Sequence, residues 1–193
     1  SLDPSSGDEM IRIRMFAPSA GIWRLRVYGT SVIHGIYNIW LPVTGFISPG
    51  TVFPDSNPDI TLTSPANAEA PITIAGYQVQ NDSIYIASSR GYTRKGRIKP
   101  DIAAPGVSAF EPGNRFTTVT GTSAAAAIAA GAAALLLEWG VVRGNRPTMG
   151  TQEIKQLLIR GARRNPNELY PNRSWGYGAL NLYNSFQLLG RFQ

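Results

Sequence analysis

Apolar and polar positions alternate with a period of two in three stretches near the start of the chain: residues 10–16, 22–28 and 31–40. That period places one face in a core and the other in solvent, so each stretch predicts a half-buried strand. Val32, Ile33, Ile36, Tyr37, Ile39 and Trp40 supply the β-branched and aromatic residues strands favour. The breaks between them, Ala17-Pro18-Ser19-Ala20-Gly21 and Gly29-Thr30-Ser31, are short, which predicts antiparallel pairing. Residues 43–70, rich in Pro, Asn and Asp, read as loop. The pattern then changes. Residues 71–77 form a continuous apolar run, as expected of a strand covered on both faces. Tyr85-Ile86-Ala87 and Ile102-Ala103 read as short buried segments, the second followed by a Pro105-Gly106 turn. Residues 117–120 are β-branched and end at Gly121, and residues 124–137 contain little but Ala, Ile and Leu. Ala is the best helix former and Thr a good N-cap, so this is strand, tight turn and helix. A helix apolar all round is expected to be buried. Residues 148–161 read as an amphipathic helix, with Thr151 and Glu153 in its first turn and Ile154, Leu157 and Leu158 on one face. Residues 179–189 form the last helix.

The strand–turn–helix puts Ser123 in the first helical turn, where backbone N–H groups have no intrahelical acceptor and the positive dipole end lies. A hydroxyl beside free donors suits a nucleophile, because those donors can bind the oxyanion formed on attack. On local pattern a second reading stands beside it: Ser123 as a capping residue of a core helix.

Neighbouring residues discriminate. Gly121-Thr122-Ser123-Ala124-Ala125-Ala126-Ala127-Ile128-Ala129-Ala130-Gly131 resembles the serine box of subtilisin-like proteases (subtilases), G-T-S-x-A-x-P-x-x-A-G. Ser88-Ser89-Arg90-Gly91 and Lys99-Pro100-Asp101-Ile102-Ala103-Ala104-Pro105-Gly106-Val107 resemble that family's S-S-R-G and K-P-D-I-x-A-P-G-V. Trp175-Gly176-Tyr177-Gly178-Ala179-Leu180-Asn181 resembles its closing segment. Ala127 and Ile128 stand where the family usually has Pro and His. Gly21, Trp23 and Gly29, followed by Trp40-Leu41-Pro42, are similar to the jelly-roll insertion of clostridial germination-specific, Csp-type subtilases.

The resemblance implies an α/β fold. Residues 51–193 would be the C-terminal portion of a three-layer αβα catalytic domain with a mainly parallel sheet. Residues 1–50 would be the remainder of an antiparallel β-sandwich (jelly-roll) insertion. It implies a serine endopeptidase that hydrolyses peptide bonds through an acyl-enzyme on Ser123. Gly121 and Thr122 would support the turn and the oxyanion, and Val119 and Thr120 would border the substrate cleft. Bacterial secretion, or association with the cell envelope or spore, would fit.

Composition changes this picture little. The 193 residues carry a net charge of +6, with Arg90, Arg94, Lys95, Arg97 and Lys99 clustered. Aromatics are sparse there and no nucleic-acid fold signature occurs, so the cluster reads as solvated surface and no nucleic-acid partner is expected. With no cysteine there is no disulfide or thiolate site, and no compartment is assigned. The chain opens with polar residues and no signal peptide is read there; residues 124–137 are too few to span a bilayer, so no membrane is expected. Asp55, Asp59 and Asp82 are scattered on loops, and no cofactor or metal ligand set is visible, although structural calcium occurs in the family. Asp101 is read as shaping its loop.

The partners of Ser123 are missing. A serine protease needs a base and a carboxylate that orients it. No D-S/T-G, H-G-T or A-G-N box is present. The one histidine, His34, is followed by Gly35 and Ile36 and sits in a strand-like stretch, so it reads as a histidine of the insertion. The catalytic Asp, His and oxyanion Asn are therefore expected on an N-terminal half of the same protease. The chain alone should be inactive, and its apolar helix should be covered by that half, by a second copy or by rearrangement. It is then an excised or cleaved portion of a protease or, alternatively, a pseudoprotease acting as a protein-binding module.

Overall fold

The computed structural model describes residues 9–32, 35–42, 45–110 and 117–190. The chain divides into two compact units, Ser1–Val52 and Phe53–Gln193.

In the first unit the three expected strands are not formed: the described residues carry only bends and turns, and those between 9 and 46 are all exposed. An alternating segment becomes a strand when a neighbouring backbone satisfies its N–H and C=O groups and a packed surface covers its apolar face. The described residues of this unit supply neither. Ile11, Phe16, Ile22 and Tyr28 stand in solvent.

The second unit is built on a mixed four-stranded sheet of β1 (Ile74–Gln78), β2 (Ser83–Ile84), β3 (Ile102–Phe110) and β4 (Thr117–Thr120), in the order β2-β1-β3-β4. β1 and β3 are parallel, and the outer pairings are antiparallel. Alternation along the two central strands assigns their faces. Ile74 and Ile102 pack into a cluster with Leu136, Ile154, Leu158 and Leu189. Ala75 and Ala103 face a second cluster with Trp175 and Ala179.

Three helices follow: α1 (Thr122–Leu137), α2 (Thr151–Gly161) and α3 (Leu182–Gly190). The expected amphipathic helix is α2, and it buries Ile154, Leu157 and Leu158 as its spacing requires. The closing segment runs beside β3: Ala103 N–H donates to Gly178 O (2.9 Å) and Leu180 N–H to Ala103 O (2.7 Å).

Four expectations are corrected here. Pro105-Gly106 is not a turn, because β3 continues through it and the irregularity is taken up as a register shift at Tyr77/Gln78. Ile86 is 84% exposed, since the chain turns away from the sheet after β2. Lys99, read as solvated, is 1% exposed because Asp101 and main-chain oxygens meet its ammonium. Helix α1 is not buried all round: Ala124, Ala125, Ala129, Ala132 and Leu136 are covered, while Ala126, Ala127, Ala130 and Ala134 are exposed. It also runs on through a π-helical turn, Glu138–Val142. The continuous helix of 21 residues, with mean hydropathy 1.9, is thus long and apolar enough to cross a membrane by length and composition. It nonetheless packs along β1 and β3, as a core helix does.

Candidate active site

β3 and β4 form the hairpin that delivers the serine. Val107 lies opposite Thr120 and Ser108 opposite Val119, so the sheet fixes the chain up to Gly121. Gly121 has φ 144° and ψ 158°, a left-handed conformation that disfavours side chains, and its N–H donates to Gly106 O at 2.8 Å. β1 and β3 come close at the same level: a Cβ on Gly106 would meet Gly76 Cα at 2.9 Å. Thr122 abuts this contact, with its Cγ2 3.5 Å from where a Gly76 Cβ would lie. The turn to the helix is therefore set by backbone against backbone.

Gly121, not Thr122, is the helix N-cap, and no side chain caps the helix. The reason is geometric. The sharp turn falls one residue before Thr122, which already has helical conformation. Ala124 and Ala125 N–H both point to Gly121 O (3.1 and 3.4 Å). Among the described residues, no backbone acceptor meets the N–H groups of Thr122 and Ser123. Ser123 is the second helical residue and is exposed. Its oxygen is not turned back onto its own first turn, so the capping geometry is absent. A hydroxyl in solvent beside two free N–H donors can attack an electrophilic carbon and have the resulting oxyanion bound.

Thr120 and Val119 are exposed on β4, the edge strand that leads into Ser123. His34 lies outside the described residues, and Asp101 is far too enclosed to act as a base. It is 4% exposed and its carboxylate accepts from Lys99 Nζ (2.7 Å) and Thr73 N–H (2.7 Å), with Lys155 Nζ at 3.5 Å. Lys99 also donates to Pro71 O and Lys155 to Glu69 O. This group ties the start of β3 to the loop before β1 and to α2. Burial pulls the Lys99 pKa below the ordinary lysine range, and Asp101 opposes the shift. Among the described residues no three carboxylate or imidazole groups come together as a metal would need.

Two supporting residues escaped the sequence reading. Ser88, 6% exposed, accepts the Gly76 N–H at 3.0 Å and so holds β1 where it meets Gly106. Nothing in the local pattern marks it. Lys155 left a signal: it interrupts the buried stripe of α2 between Ile154 and Leu158.

The family model of the subtilases matches residues 43–178 of the 193. The chain belongs to the subtilase family. This subtilase chain is 34% identical over 161 residues to the serine protease AprX of Bacillus subtilis, covering 72% of this chain and 34% of AprX. Its fold resembles that of the Clostridium perfringens CspB protease (TM-score 0.63, 39% identity, 70% of this chain and 29% of that one). It also resembles the patellamide maturation protease PatA (TM-score 0.53, 30% identity, 70% and 48%). The subtilase chain thus spans about a third of AprX and of CspB. The likeness to CspB accords with the Csp-type subgroup and with an α/β, subtilisin-like fold.

Proposed function

We propose that this chain is the C-terminal portion of a subtilase catalytic domain and that Ser123 is its nucleophile. The observation that carries the reading is the exposed, uncapped Ser123 hydroxyl beside the free N–H groups of the first turn of α1. In the assembled protease Ser123 attacks the scissile carbonyl, the Ser123 N–H helps to bind the oxyanion, and Gly121 lets the substrate backbone pass close to the turn. Val119 and Thr120 border the cleft. The Asp, the His and the oxyanion Asn come from an N-terminal half of the same protease, which also covers the open face of α1. Peptides or proteins are the substrates, and neither nucleic acid nor a membrane is required. Residues 1–50 are read as the remainder of a jelly-roll insertion and 51–193 as catalytic domain; the motif at Gly21, Trp23 and Gly29 and the two compact units support that division.

The chain by itself should hydrolyse nothing, because a triad reduced to its serine loses a factor on the order of 10⁶ in kcat. A fluorophosphonate probe decides between this reading and a non-catalytic binding module. Expected is no labelling of the 193-residue chain, labelling once the N-terminal half is supplied, and loss of that labelling in Ser123→Ala. Failure of the reconstituted protein to label would sink the assignment. Peptide hydrolysis by the chain alone, lost in His34→Ala, would instead make His34 the base.

A further inference from the structure

A cavity of about 520 Å³ opens in the second unit, lined by Asp59, Ile84, Tyr92, Glu168, Arg173 and Trp175 among others. Its volume falls within the roughly 300–1,000 Å³ of small-ligand and side-chain pockets. Two features of its lining identify what it would take.

The first is that the cavity wall already holds a guanidinium. Arg173 donates to Asp59 Oδ2 at 3.0 Å, and its guanidinium carbon lies 5.3 Å from the centre of the Tyr92 ring. The Tyr92 hydroxyl donates to Pro171 O at 2.9 Å, which fixes the ring. A carboxylate at the edge and an aromatic ring on the face are the two elements by which proteins recognise arginine.

The second is that the same pair of elements occurs again. Glu168 and Trp175 line the cavity with no arginine of the lining named between them. The Glu168 carboxylate is met by neutral donors at long range, Tyr170 Oη at 3.3 Å and Asn172 Nδ2 at 3.4 Å. Trp175 is 9% exposed and is held by Tyr77, whose ring centre is 5.3 Å away. Its plane is thus set by packing, while its remaining surface faces the cavity. Ile84 adds an apolar wall for a methylene stem.

We propose that this cavity binds the arginine side chain of a peptide segment, its guanidinium on the Glu168 carboxylate and against the Trp175 ring, alongside the protein's own Arg173. The inference is independent of the role given to Ser123, since no residue of the serine turn takes part.

The test uses the 193-residue chain and the probe Nα-acetyl-L-arginine amide, with the citrulline amide as a neutral isostere. The readout is the indole N–H resonance of Trp175, identified by its loss in Trp175→Phe. A saturable shift with the arginine probe is expected, with none for citrulline. Glu168→Gln, a change at an exposed position, should weaken binding about tenfold while leaving the other resonances in place. No saturable shift, an equal response to citrulline, or unaltered affinity in Glu168→Gln would each overturn the proposal.

Discussion

Asp101 is one carboxylate between two ammonium groups, and all three are almost out of solvent. Removing its charge leaves two buried cations without a counter-ion. Asp101→Asn is therefore expected to destabilise the second unit by about 3–5 kcal/mol in denaturant unfolding. Lys155→Met, which leaves one ammonium for one carboxylate and keeps the stem volume, should lower stability much less. An equal loss in both variants would show that packing, not charge, dominates the site. The sign of the Lys99 shift gives an independent check. Its folded pKa lies below 10.5, so between the two values the unfolded chain binds more protons and stability rises with pH. Tyr170 acts oppositely: burial raises its pKa above 10.0, and its contribution falls as pH rises through the folded value. Following Tyr170→Phe and Lys99→Met through that alkaline range separates the two.

At the scale of elements, the β1–β2 hairpin is tied to the end of α2 by Arg163, whose guanidinium donates to both oxygens of Asp82 (2.8 and 2.9 Å). The bond from Arg163 holds the Asp82 carboxyl below its ordinary pKa. Its contribution is present above pH 3.8 and fades as pH falls through the lower folded value. Asp82→Asn should accordingly flatten the acid limb of the stability profile and leave the neutral plateau nearly unchanged, because the pair is solvated. An unaltered acid limb would show that the hairpin is held by the β1 register alone.

This pair also shows what could be read from sequence and what could not. Elements with a strong period or composition were legible: β1, α1, α2 and the turn at Gly121 lie where residues 71–77, 124–137, 148–161 and 121 place them, to within a few positions. Contacts between residues far apart were not. Asp82 meets Arg163 across 81 positions and Asp59 meets Arg173 across 114, and no local pattern records either. Residues 10–40 fail for a different reason. Alternation reports that a strand would have one apolar face, but it does not provide the surface that must cover it. The exposed half of α1 is the same lesson in a helix: composition asks for burial, and only the neighbours decide how much is granted. At the serine turn, the hydroxyl's position was legible because the Gly121 conformation and the helix start are both local.

For the molecule as a whole, the open face of α1 dominates solution behaviour. Ala126, Ala127, Ala130 and Ala134, followed by Leu135, Leu137, Val141 and Val142, carry no charge and stand exposed. Contiguous apolar surface of this kind drives association. The chain should bind a hydrophobic dye and change its apparent mass with concentration in light scattering. Ala130→Lys should suppress both without unfolding α1, because the site is in solvent and Lys is a good helix former. Dye binding that persists in the variant would move the cause to the apolar residues of the first unit.

The contact between Gly76 and Gly106 has a consequence in time. No side chain lies between β1 and β3 there, and Ser88 and Gly121 are each bonded to one of the two glycines. With nothing to yield between the strands, the serine turn cannot loosen by rotamer changes; it opens only if the strands part. Amide exchange should record this. The Gly76 and Gly121 protons are expected to leave together and late, with those of Ala103, while protons of residues 9–32 exchange at nearly the rate of an unstructured peptide. If Gly121 exchanged early and alone, the turn would be a mobile loop and the serine's position would be no more durable than the loop itself.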